Sequence, residues 1–195
     1  MILDSGLANN KRVGVTQPRR IAATSVAAFV AEQRNTEMGN QVGYKIRFDD
    51  HTTQATELKF MTDGVLLMEA QTDPELQQYG VIIIDEAHER SQNIDFAMGL
   101  LKNLLHGARA DDLRVVIMSA TIQPEFFSEF FDGAPVISAT APMFPVEVLY
   151  HPVNPDNPKD LVQRTVDAVK EIQKAGDPGD VLVFLPGAGP IRDVV

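Results

Sequence analysis

A mostly parallel α/β sheet with helices on both faces is the fold class this sequence predicts, and three observations predict it. Short apolar runs rich in β-branched residues alternate along the chain with longer segments of helical spacing. One run, Val81-Ile82-Ile83-Ile84, is apolar at every position, as a strand covered on both faces must be. Residues 93–105 set Ile94, Phe96, Ala97, Leu100, Leu101, Leu104 and Leu105 at helical spacing, the stripe of a helix lying on a sheet.

The elements follow in order. Arg12-Val13-Gly14-Val15-Thr16 reads as a strand and residues 21–32 as an alanine-rich helix; 42–46 and 57–61 are further strands. After the 81–84 strand and the 93–105 helix, residues 113–118 are extended again, and 124–130 form a short helix with Pro124 in its first turn. Val136-Ile137 and residues 145–150 add extended segments. Pro152, Asn154, Pro155, Asp156, Asn157 and Pro158 then break the pattern, so 152–158 reads as a linker. Residues 161–174 form an amphipathic helix, and 181–185 an apolar strand before Pro186-Gly187-Ala188-Gly189-Pro190. One helix and one strand cannot close a core. Residues 1–151 therefore read as one domain and 159–195 as the beginning of a second.

Composition bounds the function classes. Of 195 residues, 44% are hydrophobic and 23% charged, an ordinary globular balance that excludes a disordered chain. There is no cysteine, which removes disulfides, thiolate zinc sites and cysteine nucleophiles together. No basic, apolar leader opens the sequence, and no stretch of about 18 apolar residues occurs. A soluble, cytoplasmic protein without a membrane partner is expected. The net charge of −10 disfavours nucleic acid, but it is unevenly spread. Residues 1–50 carry seven cations against five anions, and the remainder ten against 22.

The segment richest in chemistry is Asp85-Glu86-Ala87-His88-Glu89-Arg90, directly after the buried strand. Ligands of open α/β sheets bind beyond the carboxyl ends of the strands, so two carboxylates stand on the rim of that crevice. In nucleotide hydrolases such an Asp helps hold Mg²⁺, and a neighbouring Glu can deprotonate water. Alternatively both acids cap the helix that follows. A zinc site using His88 would need a second His one turn on, and position 92 is Gln.

Together with other segments of the chain, this one resembles the DEAH-box helicases of superfamily 2. Thr16-Gln17-Pro18-Arg19-Arg20 resembles motif Ia of that family, and Thr62-Asp63-Gly64 with Val65-Leu66-Leu67-Met68-Glu69 resembles motif Ib. Asp85 to His88 matches motif II, and Ser119-Ala120-Thr121 motif III; the order and spacing carry the resemblance. Residues 43–50 resemble a further family segment, Leu182-Val183-Phe184-Leu185-Pro186-Gly187 resembles motif IV, and Asn93-Ile94-Asp95-Phe96 leans toward bacterial members.

The resemblance implies RecA-like domains that couple ATP hydrolysis to movement along RNA. It implies that Asp85 holds Mg²⁺ through its water shell, with Glu86 beside the metal activating the hydrolytic water. His88 would connect the nucleotide side to domain closure, and Ser119 and Thr121 would couple hydrolysis to strand separation. Arg19, Arg20, Thr62 and Asp63 would meet the backbone of single-stranded RNA, contacts that position a strand without reading it. The bland alternatives are a solvated helix start for the arginines and an N-cap for Thr62-Asp63. Phe29 stands where the family often has an Arg near the adenine; it can stack on a base or fill the core.

No G-x-x-x-x-G-K-[ST] occurs, and the family's motifs V and VI are not present either. In the family the phosphate loop precedes a helix that Ile2-Leu3-Asp4-Ser5-Gly6-Leu7 continues. Its absence predicts a chain that hydrolyses nothing alone, an apolar sheet edge left open, and poor solubility. Two readings follow: a segment of an ATP-dependent RNA helicase, or a non-catalytic module that binds RNA or a protein partner.

Overall fold

Six strands form one sheet: β1 (Arg12–Gln17), β2 (Val42–Ile46), β3 (Asp49–His51), β4 (Leu58–Thr62), β5 (Tyr79–Ile84) and β6 (Arg114–Ile117), in the order β3-β2-β4-β1-β5-β6. The computed structural model describes residues 2–120, 124–139, 144–152, 160–176 and 179–195. All neighbouring strands are parallel except β2 and β3, which make an antiparallel hairpin. Parallel neighbours need crossovers, and helices α1 (Arg20–Gln33), α2 (Asp63–Thr72) and α3 (Gln92–Leu105) supply them. The chain divides into two units, Met1–Ala139 and Thr140–Val195, with the sheet in the first.

Alternation along the strands builds two cores. Val13, Val15, Val81 and Ile83 face α1, where Ala27 and Ala31 let the helix lie close on the strands. Ile82 and Ile84 face the other way, onto Val65 and Leu66 of α2 and Ile94, Ala97 and Leu101 of α3. β5 is buried at all six positions, which is why its sequence is apolar without interruption. Phe29 lies on the solvent side of α1 and is not core.

The β1–β5 register steps by one residue: Arg12 pairs with Tyr79, but Val13 pairs with Val81. Gly80 is the extra residue. A Cβ there would collide with the carbonyl oxygen of Ala8, so the N-terminal segment crosses β5 only over a glycine.

A charged cluster is buried at the opposite end of the strands from Asp85. Lys59 Nζ lies 2.5 Å from Glu69 Oε1, and the Tyr79 hydroxyl donates to Glu69 Oε2 (2.6 Å). Burial pushes the Glu69 carboxyl up, but the bonds from Lys59 and Tyr79 outweigh it and hold the group below its ordinary value. Burial pushes the Lys59 ammonium down, and Glu69 restores only part. The Tyr79 hydroxyl is raised far above its usual value, first by burial and then by the Glu69 charge.

The outer edge of β6 has no strand partner among the described residues. A cleft of about 820 Å³ lies against it, lined by Val115, Val116 and Ile117, by Phe127 and Phe131, and by Val136 and Ile137. Phe127 belongs to α4 (Pro124–Phe130).

The second unit contains α5 (Leu161–Ala175) and α6 (Ala188–Val194). Asp160 caps α5 by accepting the Gln163 amide (2.7 Å), and Gly176 ends it in a left-handed conformation (φ 74°). Residues 181–185, expected to be a strand, join no ladder among the described residues. A strand is defined by a neighbour, and this run has none among the described residues. Pro190 is tolerated in α6 because it falls in the first turn, where a missing N–H costs nothing. Most of the expected 152–158 linker lies outside the described residues. No helix among the described residues is long and apolar enough to cross a membrane.

Candidate functional site

The strand order sets four carboxyl ends side by side: Thr62 at the end of β4 with Asp63 just after it, Gln17 at the end of β1, Asp85 after β5 and Ser119 beyond β6. Residues far apart in sequence thus share one rim.

Asp85 is held from two sides. Its Oδ1 accepts the Glu86 amide (2.8 Å), and its Oδ2 accepts Gln17 Nε2 (2.6 Å). Its own amide donates to the Thr16 carbonyl (3.2 Å), extending the β1–β5 ladder by one bond. Each carboxylate oxygen therefore has one donor and keeps a lone pair for a further ligand.

The chain then turns sharply. Glu86 takes a left-handed backbone (φ 53°), Ala87–Glu89 form one 3₁₀ turn, and Arg90 is left-handed again (φ 47°). Such conformations cost roughly 1–3 kcal/mol each in residues other than glycine and collect at functional sites. The turn carries His88 toward β6: Nδ1 accepts the Ala120 amide (3.3 Å), and Nε2 lies 3.4 Å from Glu86 Oε2. Ala87 also donates to the Met118 carbonyl (3.0 Å). Asp85 and Glu86 do not cap α3. That role belongs to Ser91, whose Oγ accepts the Ile94 amide (3.2 Å), while Arg90 pairs with Asp95 on the same helix.

The arginines open α1. Arg19 is its N-cap residue and Arg20 its first; both are exposed, and no acid stands in the first turn. Arg19 reaches Glu89 Oε1 at 3.1 Å. Thr62 occupies the N-cap of α2, but its hydroxyl makes no cap bond.

Asp63, expected at a nucleic-acid backbone, is buried at 3% exposure, so its carboxyl does not meet solvent. Its Oδ1 and the buried Thr16 Oγ1 are neighbours, yet neither completes a well-formed hydrogen bond. Burial pushes the Asp63 carboxyl above its ordinary value, the Thr16 hydroxyl relieves part, and the Glu89 charge adds to the rise. Thr121 lies outside the described residues.

The rim thus gathers Asp85, Glu86, His88 and Ser119, with Arg19 within reach through Glu89. Among the described residues no cluster of three or more His, Asp or Glu stands ready to hold a metal. Sequence reasoning missed Gln17 and Glu89 as members of the rim. Their signal was position, one at the end of the strand beside β5 and the other inside the carboxylate turn.

No family model matches the chain. It is 50% identical over 193 residues to a protein of Haemophilus influenzae named ATP-dependent RNA helicase HrpA homolog, covering 99% of this chain and 15% of that one. It is 42% identical over 195 residues to ATP-dependent RNA helicase HrpA of Borreliella burgdorferi, covering 100% and 24%. The crystal structure of the Escherichia coli DEAH/RHA helicase HrpB superposes with a TM-score of 0.87 at 37% identity, over 95% of this chain and 23% of that one. The chain spans between about a seventh and a quarter of these relatives, and its sheet has the RecA-like fold of the helicase domain.

Proposed function

Because this chain belongs to the DEAH-type helicase family, we propose that it is the portion of an ATP-dependent RNA helicase in which the nucleotide and RNA sides meet. The observation that carries the reading is the carboxylate turn: Asp85 held by Gln17, and His88 bonded to the amide of Ala120 beyond β6.

Mg-ATP, when bound, supplies the phosphoryl group that passes to water. Asp85, fixed on both oxygens, would order the water shell of the metal. Glu86, on the exposed side of the turn, would take the proton of the attacking water. His88 would pass the state of the turn to residues 119–121, where Ser119 and Thr121 begin the path toward the strands being separated. Arg19, Arg20 and Thr62 would bind RNA through its phosphates, since guanidinium forks suit phosphate oxygens.

Within these 195 residues no G-x-x-x-x-G-K-[ST] supplies a phosphate cradle, a phosphate-binding Lys or a hydroxyl for the metal. The chain by itself is therefore expected to bind RNA weakly, in a salt-sensitive way, and to hydrolyse no ATP. The test is calorimetric titration with Mg-ATP, using Asp85→Ala as control. The expected result is no binding. Micromolar binding lost in Asp85→Ala, or RNA-stimulated turnover abolished by Glu86→Gln, would overturn catalytic incompetence. A second reading, an RNA- or protein-binding module without catalysis, draws on the exposed arginines at the bare start of α1.

A further inference from the structure

Two side-chain bonds fasten the arginine segment to the carboxylate turn, and they differ in kind. Gln17, at 4% exposure, is sealed beneath the surface where it meets Asp85. Two residues on, the Arg19 guanidinium reaches Glu89 across 3.1 Å, with side-chain exposures of 76% and 31%. That pair lies in reach of solvent, where a second anion can compete. A guanidinium takes carboxylate and phosphate oxygens with the same donors. Exposed pairs are weak and so exchange readily.

We propose that Glu89 is a built-in stand-in for phosphate, which occupies Arg19 until an RNA phosphate displaces it. The inference rests on reading Arg19 as an RNA-backbone residue. Release has a defined place to act. Arg90 is clamped to Asp95 through two bonds (2.7 and 3.2 Å), so the far end of the turn stays with α3. The segment set free is the 3₁₀ turn that carries His88, next to the left-handed Glu86. Occupancy at Arg19 is thereby felt where Glu86 and His88 sit.

The test is binding of a fluorescein-labelled oligouridylate of about ten nucleotides to the chain at one fixed salt. The native chain is compared with Glu89→Gln, Arg19→Ala and the double variant. Both side chains project from the surface, so folding is not at stake. Glu89→Gln is expected to tighten binding about two- to fivefold. In the Arg19→Ala background the same substitution changes nothing. Equal tightening in both backgrounds would mean a general charge effect and would overturn the proposal. So would an unchanged affinity in Glu89→Gln beside a loss in Arg19→Ala. If no form binds the oligonucleotide even at low salt, the RNA reading itself fails, and this inference with it. RNA should also speed hydrogen exchange at the Glu89 and Arg90 amides, which bond to Glu86 and Ala87 carbonyls. Binding without that acceleration would overturn transmission to the turn.

Discussion

His88 accepts the Ala120 amide at Nδ1 across 3.3 Å, which leaves the proton of a neutral ring on Nε2, 3.4 Å from Glu86 Oε2. One imidazole thus reads the position of the backbone beyond β6 and presents its proton to the carboxylate beside Asp85. Nitrogen-15 NMR of the side chain should find the Nε2–H tautomer. A ring protonated at Nδ1 would break this arrangement.

Gln17 should prove stabilising through Asp85. Gln17→Leu keeps most of the volume but removes the donor to Oδ2. A bond to a charged group contributes about 1.5–3 kcal/mol, and water can replace part of it at a half-buried carboxylate. A loss of about 1–2 kcal/mol in urea unfolding is expected. Gln17→Glu, which sets two carboxylates against each other, should cost more; a variant as stable as the native chain would contradict both.

The Lys59–Glu69 pair should be costly to break and cheap to replace. Glu69→Leu strands a buried ammonium and is expected to destabilise by about 3–5 kcal/mol. Lys59→Met with Glu69→Leu should recover most of that loss. A double variant as unstable as the single one would show that the pair holds the fold in a way apolar packing cannot.

Glu69 also sets an acid limit. Its carboxyl is held below its ordinary value, so its contribution is complete above the unfolded value of about 4.3 and is lost as pH falls through the folded one. Stability should therefore fall below about pH 4, and the slope there should flatten in the double variant. Thermal melts across pH 2–6 measure both.

Ser91→Ala removes the side-chain cap of α3 and should cost about 1 kcal/mol. The effect should be on stability alone, since Ser91 Oγ is turned to the Ile94 amide rather than to the rim. A change in RNA affinity would reassign it.

The strands and helices of the first unit were largely legible, because periodicity is a local property. β5 announced itself through the four consecutive apolar residues 81–84, and Asp85 and Glu86 through the end of that run. What was not legible depends on neighbours. Gln17 meets Asp85 across 68 residues and Arg19 meets Glu89 across 70, and only the strand order makes those contacts. Asp63 looked like a surface acid because a helix start is usually exposed; here α2 begins beneath the rim. Residues 181–185 had the composition of a strand but, among the described residues, no partner to make them one.

The extra residue at Gly80 has an effect five residues downstream. Side chains in a strand alternate faces, so if Gly80 were paired regularly instead of bulged, every later residue would fall one step behind and Asp85 would point toward α2 and α3. Gln17 would then look across at Ile84. The bulge works as a phase shifter, placed at the start of β5 and read out at its end. Deleting Gly80 should join Tyr79 directly to Val81 and keep Gln17 level with Asp85, so the expected loss is the crossing of Ala8 over the glycine and not the carboxylate's partner.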